Sequence, residues 1–161
     1  TNAGVRALQP LAGQLNTLGL NWAEQVSGEG VAALGRIAAV VPGYALSNGN
    51  ACVRRVGLGE FFRDAVAPHH AGAAKPDPRI FLIACERLRV EPCETWMVGD
   101  RVNWDIEPAH QLGLGTVWID VRSEGASRGA VPADIVVRSL AQLEEKGFVW
   151  TRRGPSLLRQ G

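Results

Sequence analysis

Apolar positions in this chain follow two rhythms, and each predicts one kind of element. The first is helical. Leu8, Leu11, Leu15 and Leu18 lie three or four apart, which predicts a helix within residues 5–26, with Pro10 in its first turn and a weakening beyond Gly19 and Asn21. Ser27-Gly-Glu-Gly30 reads as a linker. Val31 to Val40 is apolar on nearly every face except at Arg36, so it predicts a largely covered helix that Pro42-Gly43 ends. Residues 50–58 predict another, with Val53, Val56 and Leu58 inward, and Phe61-Phe62 pack after it. Asp77 then stands as N-cap and Pro78 as the first residue of a helix to Leu88, with Ile80, Phe81, Ala84 and Leu88 facing the core. A helix from Asp105 to Leu112 is stopped by Gly113, and Ser139-Leu-Ala-Gln142 has the form of a capping box opening a helix to Lys146.

The second rhythm is that of short β-prone runs: Tyr44–Ser47, Thr95–Val98, Thr116–Ile119 and Asp134–Val137. Ala65–Pro68 is a fifth run, placed at an edge because Pro68 lacks a ladder donor. Thr95–Val98, the turn at Gly99, the helix from Asp105 and the strand at Thr116 make one βαβ unit. The class is therefore α/β with a parallel sheet. The Thr151–Gly161 tail, basic and containing Gly and Pro, is expected to be loose.

Composition narrows the class without naming a function. With 161 residues, 46% of them hydrophobic and 20% charged, the chain can bury a real core. A net charge of +1 gives no electrostatic footprint for nucleic acid or an anionic membrane, and no apolar run approaches a membrane span. Cys52, Cys85 and Cys93 are odd in number and form no Cys-x-x-Cys pair, which fits a reduced, cytoplasmic setting. The chain opens Thr-Asn-Ala-Gly without Met, as a processed, trimmed or partial chain would.

Candidate chemistry gathers at the carboxyl ends of the predicted strands, where open α/β sheets bind ligands. Asp100 and Asp105 follow the glycine turn after Val98. Two carboxylates there suit a hard cation such as Mg²⁺; the alternative is that Asp105 is a helix N-cap and Asp100 a turn residue. Ser47, with Asn48-Gly49-Asn50 after it, can donate to an anion together with backbone N–H groups, or merely cap the next helix. Lys75 stands on the stiff Lys-Pro-Asp-Pro turn, held for a phosphate or else solvated at the surface. His69 and His70 read as part of an exposed loop.

Four pieces stand in one order: Ala-Leu-Ser47-Asn-Gly, Gly57-Leu-Gly-Glu-Phe-Phe62, Lys75-Pro-Asp-Pro-Arg-Ile-Phe81 and Val98-Gly-Asp100-Arg-Val-Asn-Trp-Asp105. Over about residues 30–145 this resembles the haloacid dehalogenase-like hydrolase superfamily, in its small-cap, Mg²⁺-dependent phosphatase branch. The resemblance implies a Rossmann-like three-layer sandwich, with residues 1–30 a remnant of a helical cap, 31–150 an incomplete core and 151–161 the loose tail. It implies that Ser47, with Asn48 and Gly49, binds the transferring phosphoryl group, that Lys75 steadies the nucleophile and the phosphate charge, that Asp100 binds Mg²⁺ and that Asp105 partners a metal water or the lysine. The implied substrate is a small-molecule phosphate ester, cleaved through an aspartyl-phosphate.

One motif departs from the pattern. The family's nucleophile comes from Asp-x-Asp at the end of a central first strand, and in this chain the first Asp is Asp64. The chain as written is therefore expected to lack the nucleophile, to be inactive alone, and to leave an open sheet edge through which copies of the chain can pair. Alternatives are an inactive phosphate- and metal-binding regulatory module, and a dehalogenase acting on a C–halogen bond. Ala-Leu-Ser-Asn-Gly and Asn-Trp-Asp are similar to the dehalogenases, whereas Gly99-Asp100 favours the metal-dependent phosphatases. A receiver-like domain would need its Ser, Lys and acids in another order.

Overall fold

In a computed structural model of the chain, the residues described are 28–40, 43–48, 54, 57–123, 130–151 and 154–157. They form α1 (Gly28–Val40), β1 (Tyr44–Leu46), a 3₁₀ turn (Gly59–Phe61), β2 (Asp64–Val66), α2 (Pro68–Ala71) and α3 (Pro78–Leu88). A second 3₁₀ turn (Pro92–Glu94) leads to β3 (Trp96–Gly99), a π-helical turn (Val102–Ile106), α4 (Glu107–Gln111), β4 (Gly115–Ile119), β5 (Ile135–Val137), α5 (Leu140–Glu145), β6 (Phe148–Thr151) and β7 (Gly154–Leu157).

The strands make two parallel half-sheets. β1 pairs with β2, and β3–β4–β5 form a three-stranded sheet; β6 and β7 are an antiparallel hairpin. Among the described residues β1 and β3 are not hydrogen-bonded to each other. Both half-sheets nonetheless lie between the same two layers, because side chains alternate along a strand. Ala45, Ala65, Trp96, Val98, Val117 and Ile119 face one core with Ala33 and Leu34 of α1 and Leu140 and Leu143 of α5. Tyr44, Leu46, Val66 and Met97 face the other with Ile80 and Phe81 of α3 and Ala109 of α4. This is a three-layer, Rossmann-like α/β sandwich.

Several elements differ from the reading of the sequence. α1 begins at Gly28, so 28–30 is no linker: Glu29 lies in its first turn, where an anion is favoured by the helix dipole. α1 is also less covered than its composition suggests. Only Gly30, Ala33 and Leu34 are buried, and Val40 is 45% exposed, because the many alanines leave little apolar surface to hide. β2 starts at Asp64 and ends at Val66, and Pro68 opens α2, whose single turn carries His69 and His70 out of a loop. In α3 the inward residue of the last turn is Cys85, with Leu88 only half-buried. Asp105 does not begin a helix; it lies inside the π-helical turn. Ser139 accepts from the N–H of Gln142, but the Gln142 side chain answers Arg138 rather than Ser139. Residues 154–157 pair with β6 instead of forming part of a loose tail. The predicted helix at 5–26, Cys52 and most of the predicted helix at 50–58 lie outside the described residues. No described helix is long and apolar enough to cross a membrane.

Two contacts give tests. Gly115 sits under the Trp96 ring, where a Cβ would lie 2.5 Å from ring carbons. Gly115→Ala should therefore destabilise the protein by about 1–3 kcal/mol through overpacking, read from a urea melt. Across the helical layer, Arg36 donates to Glu144 at 2.8 and 2.7 Å, and this bond holds the Glu144 carboxyl below its ordinary range. The folded carboxyl thus ionises at lower pH than the unfolded one. The bridge's contribution is present above the unfolded value and lost as the pH falls through the folded one. Because the pair is exposed, Arg36→Gln should cost only roughly 0.2–1 kcal/mol at neutral pH. That difference should vanish in melts run below the folded pKa.

Candidate functional site

The carboxyl ends of β1 and β3 carry the chemistry, and α3's leading turn joins them. Ser47 follows β1; it is 3% exposed, and its N–H donates to Val66 O at 3.1 Å, which continues the pairing with β2. The next residue, Asn48, uses its side-chain amide twice. Nδ2 donates to Lys75 O at 2.7 Å and Oδ1 accepts from Lys75 N–H at 2.7 Å. The backbone of the lysine is thereby clamped to the end of β1. Gly49 lies outside the described residues.

Lys75 is not a surface lysine. It is 4% exposed, and its Nζ donates to Asp105 Oδ1 at 2.6 Å. The Lys-Pro-Asp-Pro turn prepares this geometry: Asp77 accepts from Arg79 N–H at 2.9 Å as the cap of α3, so the turn is anchored on the helix that follows it.

Asp105 is fully buried. Its second oxygen accepts from the N–H of Arg101 at 3.1 Å, and Asp105 N–H in turn donates to Arg101 O at 2.8 Å. The π-helical turn aims the carboxylate back over the end of β3. Gly99 makes this possible, since a Cβ there would sit 2.5 Å from Cβ and Oδ2 of Asp105. Its role is a close approach as well as a turn.

Asp100 sits at the mouth of β3. Its side chain is 9% exposed, with Oδ2 3.9 Å from Arg101 Nε and Oδ1 shut off from solvent. Its backbone oxygen accepts from Trp118 Nε1 at 3.2 Å. Beside it lies a cavity of about 170 Å³ lined by residues 100–104 and 118–122. Asp120, which the sequence reading did not single out, is 8% exposed and lines this cavity with Asp100. The signal available for it was its place directly after β4, at the same end of the sheet as Asp100.

The structure thus brings Ser47, Asn48 and Lys75 together on one side and joins them through Lys75 to Asp105 and the β3 turn. Two roles escaped the sequence reading: Asn48 as the clamp on Lys75, and Gly99 as the seat of Asp105. Among the described residues no group of three His, Cys, Asp or Glu side chains could enclose a metal. The oxygen donors Asp100 and Asp120 fit the partial coordination that Mg²⁺ accepts, in which one or two carboxylates are joined by waters and substrate oxygens. Cys85 is buried beside Thr95, its Sγ 3.6 Å from Oγ1, and burial pushes its thiol upward; Cys93 is exposed.

Comparison with known proteins adds three likenesses and one family match. The family described as haloacid dehalogenase-like hydrolase matches residues 30–113. A glyceraldehyde 3-phosphate phosphatase of Methanopyrus kandleri is 38% identical over 84 residues, 52% of this chain and 36% of that protein. (S)-2-haloacid dehalogenase 1 of a Pseudomonas species is 31% identical over 105 residues, 62% of this chain and 46% of that one. The chain therefore spans less than half the length of these curated relatives. The crystal structure of a 2-haloacid dehalogenase from Pseudomonas syringae pv. Tomato superposes with a TM-score of 0.68 at 33% identity, covering 75% of this chain and 52% of that one.

The buried pair sets the test of this geometry. Removing one partner leaves the other charge buried and unpaired, so Lys75→Met and Asp105→Asn should each cost about 3–5 kcal/mol in denaturant melts. Lys75→Met combined with Asp105→Leu should cost clearly less than the sum, because no charge is then stranded.

Proposed function

Since the chain belongs to the haloacid dehalogenase-like hydrolases, we propose that its site serves Mg²⁺-dependent hydrolysis of small phosphate monoesters in the complete protein. One observation carries this reading. Among the described residues, the largely covered charged groups at the strand ends are one ammonium, Lys75, and three carboxylates, Asp100, Asp105 and Asp120. The charge of Lys75 is matched by Asp105 at 2.6 Å, while Asp100 and Asp120 line the cavity as its floor, with Arg101 Nε 3.9 Å from Oδ2 of Asp100. Like charges about 4 Å apart repel by about 4 kcal/mol at an effective dielectric near 20, so a phosphate dianion approaching such a floor needs a cation. Asp100 would hold the Mg²⁺, with Asp120 beside it, and the ion would supply charge neutralisation on the phosphoryl oxygens.

The chain's own residues have the remaining tasks. Ser47 Oγ and the backbone beyond it orient the phosphoryl group. Lys75, fixed by Asn48 and Asp105, keeps a positive charge at a constant place, which is the preorganisation that phosphoryl transfer rewards. The attacking carboxylate of an aspartyl-phosphate route has no counterpart ahead of Asp64 in this sequence, so the chain alone is proposed to be inactive. The phosphatase relatives support the reaction class.

A second reading is hydrolysis of a carbon–halogen bond, favoured by the likeness to the two dehalogenases. Lys75, Ser47 and Asp105 suit either reaction, whereas a carboxylate at position 100, a hard oxygen donor for a metal ion, suits the first. The two separate by product: the complete protein should release phosphate from an aryl phosphate and no halide from a 2-haloacid, and Asp100→Asn should lower its kcat by at least 100-fold. Halide release that survives Asp100→Asn would select the second reading. For this chain by itself the expected outcomes are no turnover and weak, millimolar-range Mg²⁺ binding by calorimetry that Asp100→Asn abolishes.

A further inference from the structure

The turn after β3 takes part in two ion pairs of different character. Lys75 and Asp105 meet at 2.6 Å, with side chains 2% and 1% exposed. Arg101 Nε and Asp100 Oδ2 lie 3.9 Å apart, with side chains 54% and 9% exposed. The first distance is that of a charge-assisted hydrogen bond; the second is beyond hydrogen-bond reach. Arg101 therefore compensates Asp100 through space, from the solvent side, without being locked onto it. The backbone under this guanidinium is fixed: Arg101 N–H donates to Asp105 Oδ2 at 3.1 Å, and Arg101 O accepts from Asp105 N–H at 2.8 Å. Its side chain lies against the exposed Trp104 ring, the guanidinium carbon 5.6 Å from the centroid. Stacking on a ring face holds a guanidinium without engaging its N–H donors. The tether is thus rigid, and the charged head has a second seat that does not depend on Asp100.

Asp100 and Asp120 are largely covered and line one cavity. Two carboxylates so placed disfavour each other's charge unless a cation stands near them. Lys75 is not that cation, since its ammonium is engaged with Asp105. Resting on the reading of Asp100 as the seat of Mg²⁺, we propose that Arg101 is a tethered counter-cation that competes with the metal for Asp100. Before a metal enters, the guanidinium compensates the carboxylate. Once a divalent cation is bound there, the guanidinium faces a like charge and withdraws to Trp104 and solvent. The exchange is feasible because the 3.9 Å pair has no hydrogen bond to break. Its consequence is a metal affinity set below what the carboxylates alone would give.

The test uses the 161-residue chain and Mg²⁺ alone, titrated by calorimetry. Arg101→Gln removes the competing charge, so its Kd for Mg²⁺ should be about tenfold lower than that of the unaltered chain. Arg101→Lys keeps a charge at the same place, and its Kd should stay within about threefold. Urea melts give a second readout by linkage: a fixed Mg²⁺ concentration should raise the midpoint more in Arg101→Gln than in the unaltered chain. These variants are expected to fold, because the Arg101 side chain is more than half exposed and the bonds to Asp105 come from its backbone. If no protein binds Mg²⁺, or if binding survives Asp100→Asn, the reading of Asp100 as the metal's seat falls and this inference with it. If Asp100→Asn abolishes binding but Arg101→Gln binds no tighter than the unaltered chain, the metal reading stands and the role of Arg101 is overturned. An equal gain from Arg122→Gln, the other guanidinium lining the cavity, would show a general field and overturn it too.

Discussion

The buried ion pair between Lys75 and Asp105 is the constraint on which the rest of the site depends. Both side chains are almost wholly removed from water, at 2% and 1% exposure. Desolvating two charges costs several kcal/mol per ion before their attraction offsets it, so the pair persists only if its surroundings satisfy what remains. A backbone N–H and a side-chain amide contribute to this. Arg101 N–H serves the free oxygen of Asp105, and Asn48 fixes the backbone of Lys75 on both sides of its peptide. None of these partners is a flexible side chain at the surface. The ammonium is therefore held at a fixed position instead of being drawn in by a substrate.

That same pair joins two half-sheets whose strands, among the described residues, do not pair with each other. Asn48 belongs to the end of β1, Asp105 to the turn beyond β3, and Lys75 lies between them. The helical layers supply the apolar part of the union: α1 and α5 cover residues of β1, β2, β3 and β4 on one face, and α3 covers β1, β2 and β3 on the other. The polar clamp sets the register of the strand ends, which non-directional apolar packing cannot do. Local devices then keep each end of the clamp sharp, Asp77 capping α3 at one and Gly99 yielding space to Asp105 at the other.

Most of this architecture was legible in the sequence because it depends on periodicity and on short-range chemistry. The β-prone runs at 44, 95, 116 and 134 became strands within one or two residues, and Asp77-Pro78 opened α3, since an N-cap and a proline act over three residues. What was not legible depended on contacts far apart in sequence. Asn48 and Lys75 are 27 residues apart, and nothing around Asn48 distinguishes a clamp from a turn residue. The π-helical turn at 102–106 has no periodic signature, so Asp105 looked like the start of a helix. Gly99 was read as a turn glycine because its other duty, making room for Asp105, exists only once the chain has come back on itself. α1 was overestimated for the opposite reason: alanine counts as apolar in a pattern but has too little surface to require cover.

The turn from Gly99 to Asp105 shows how one short stretch can send neighbouring side chains to different surroundings. In the proposed reading Ser47, Lys75 and Asp105 orient and neutralise the group that stays, so the same three residues suit a phosphatase or a dehalogenase. The turn after β3 lays out its side chains in order: a carboxylate at 100 lining the cavity, a guanidinium at 101 and a ring at 104 exposed beside it, and a second carboxylate at 105 directed away, into the ion pair. Four side chains of one turn can point three ways because the π-helical winding places residues 101 and 104 side by side, as the stacking of Arg101 on Trp104 shows, while Asp105 is carried beneath them. A regular α-helix begun at Asp105 would have left 101–104 as an extended loop, with Arg101 lacking a ring to lie on. The rare winding is thus where the fold and the ion pair meet.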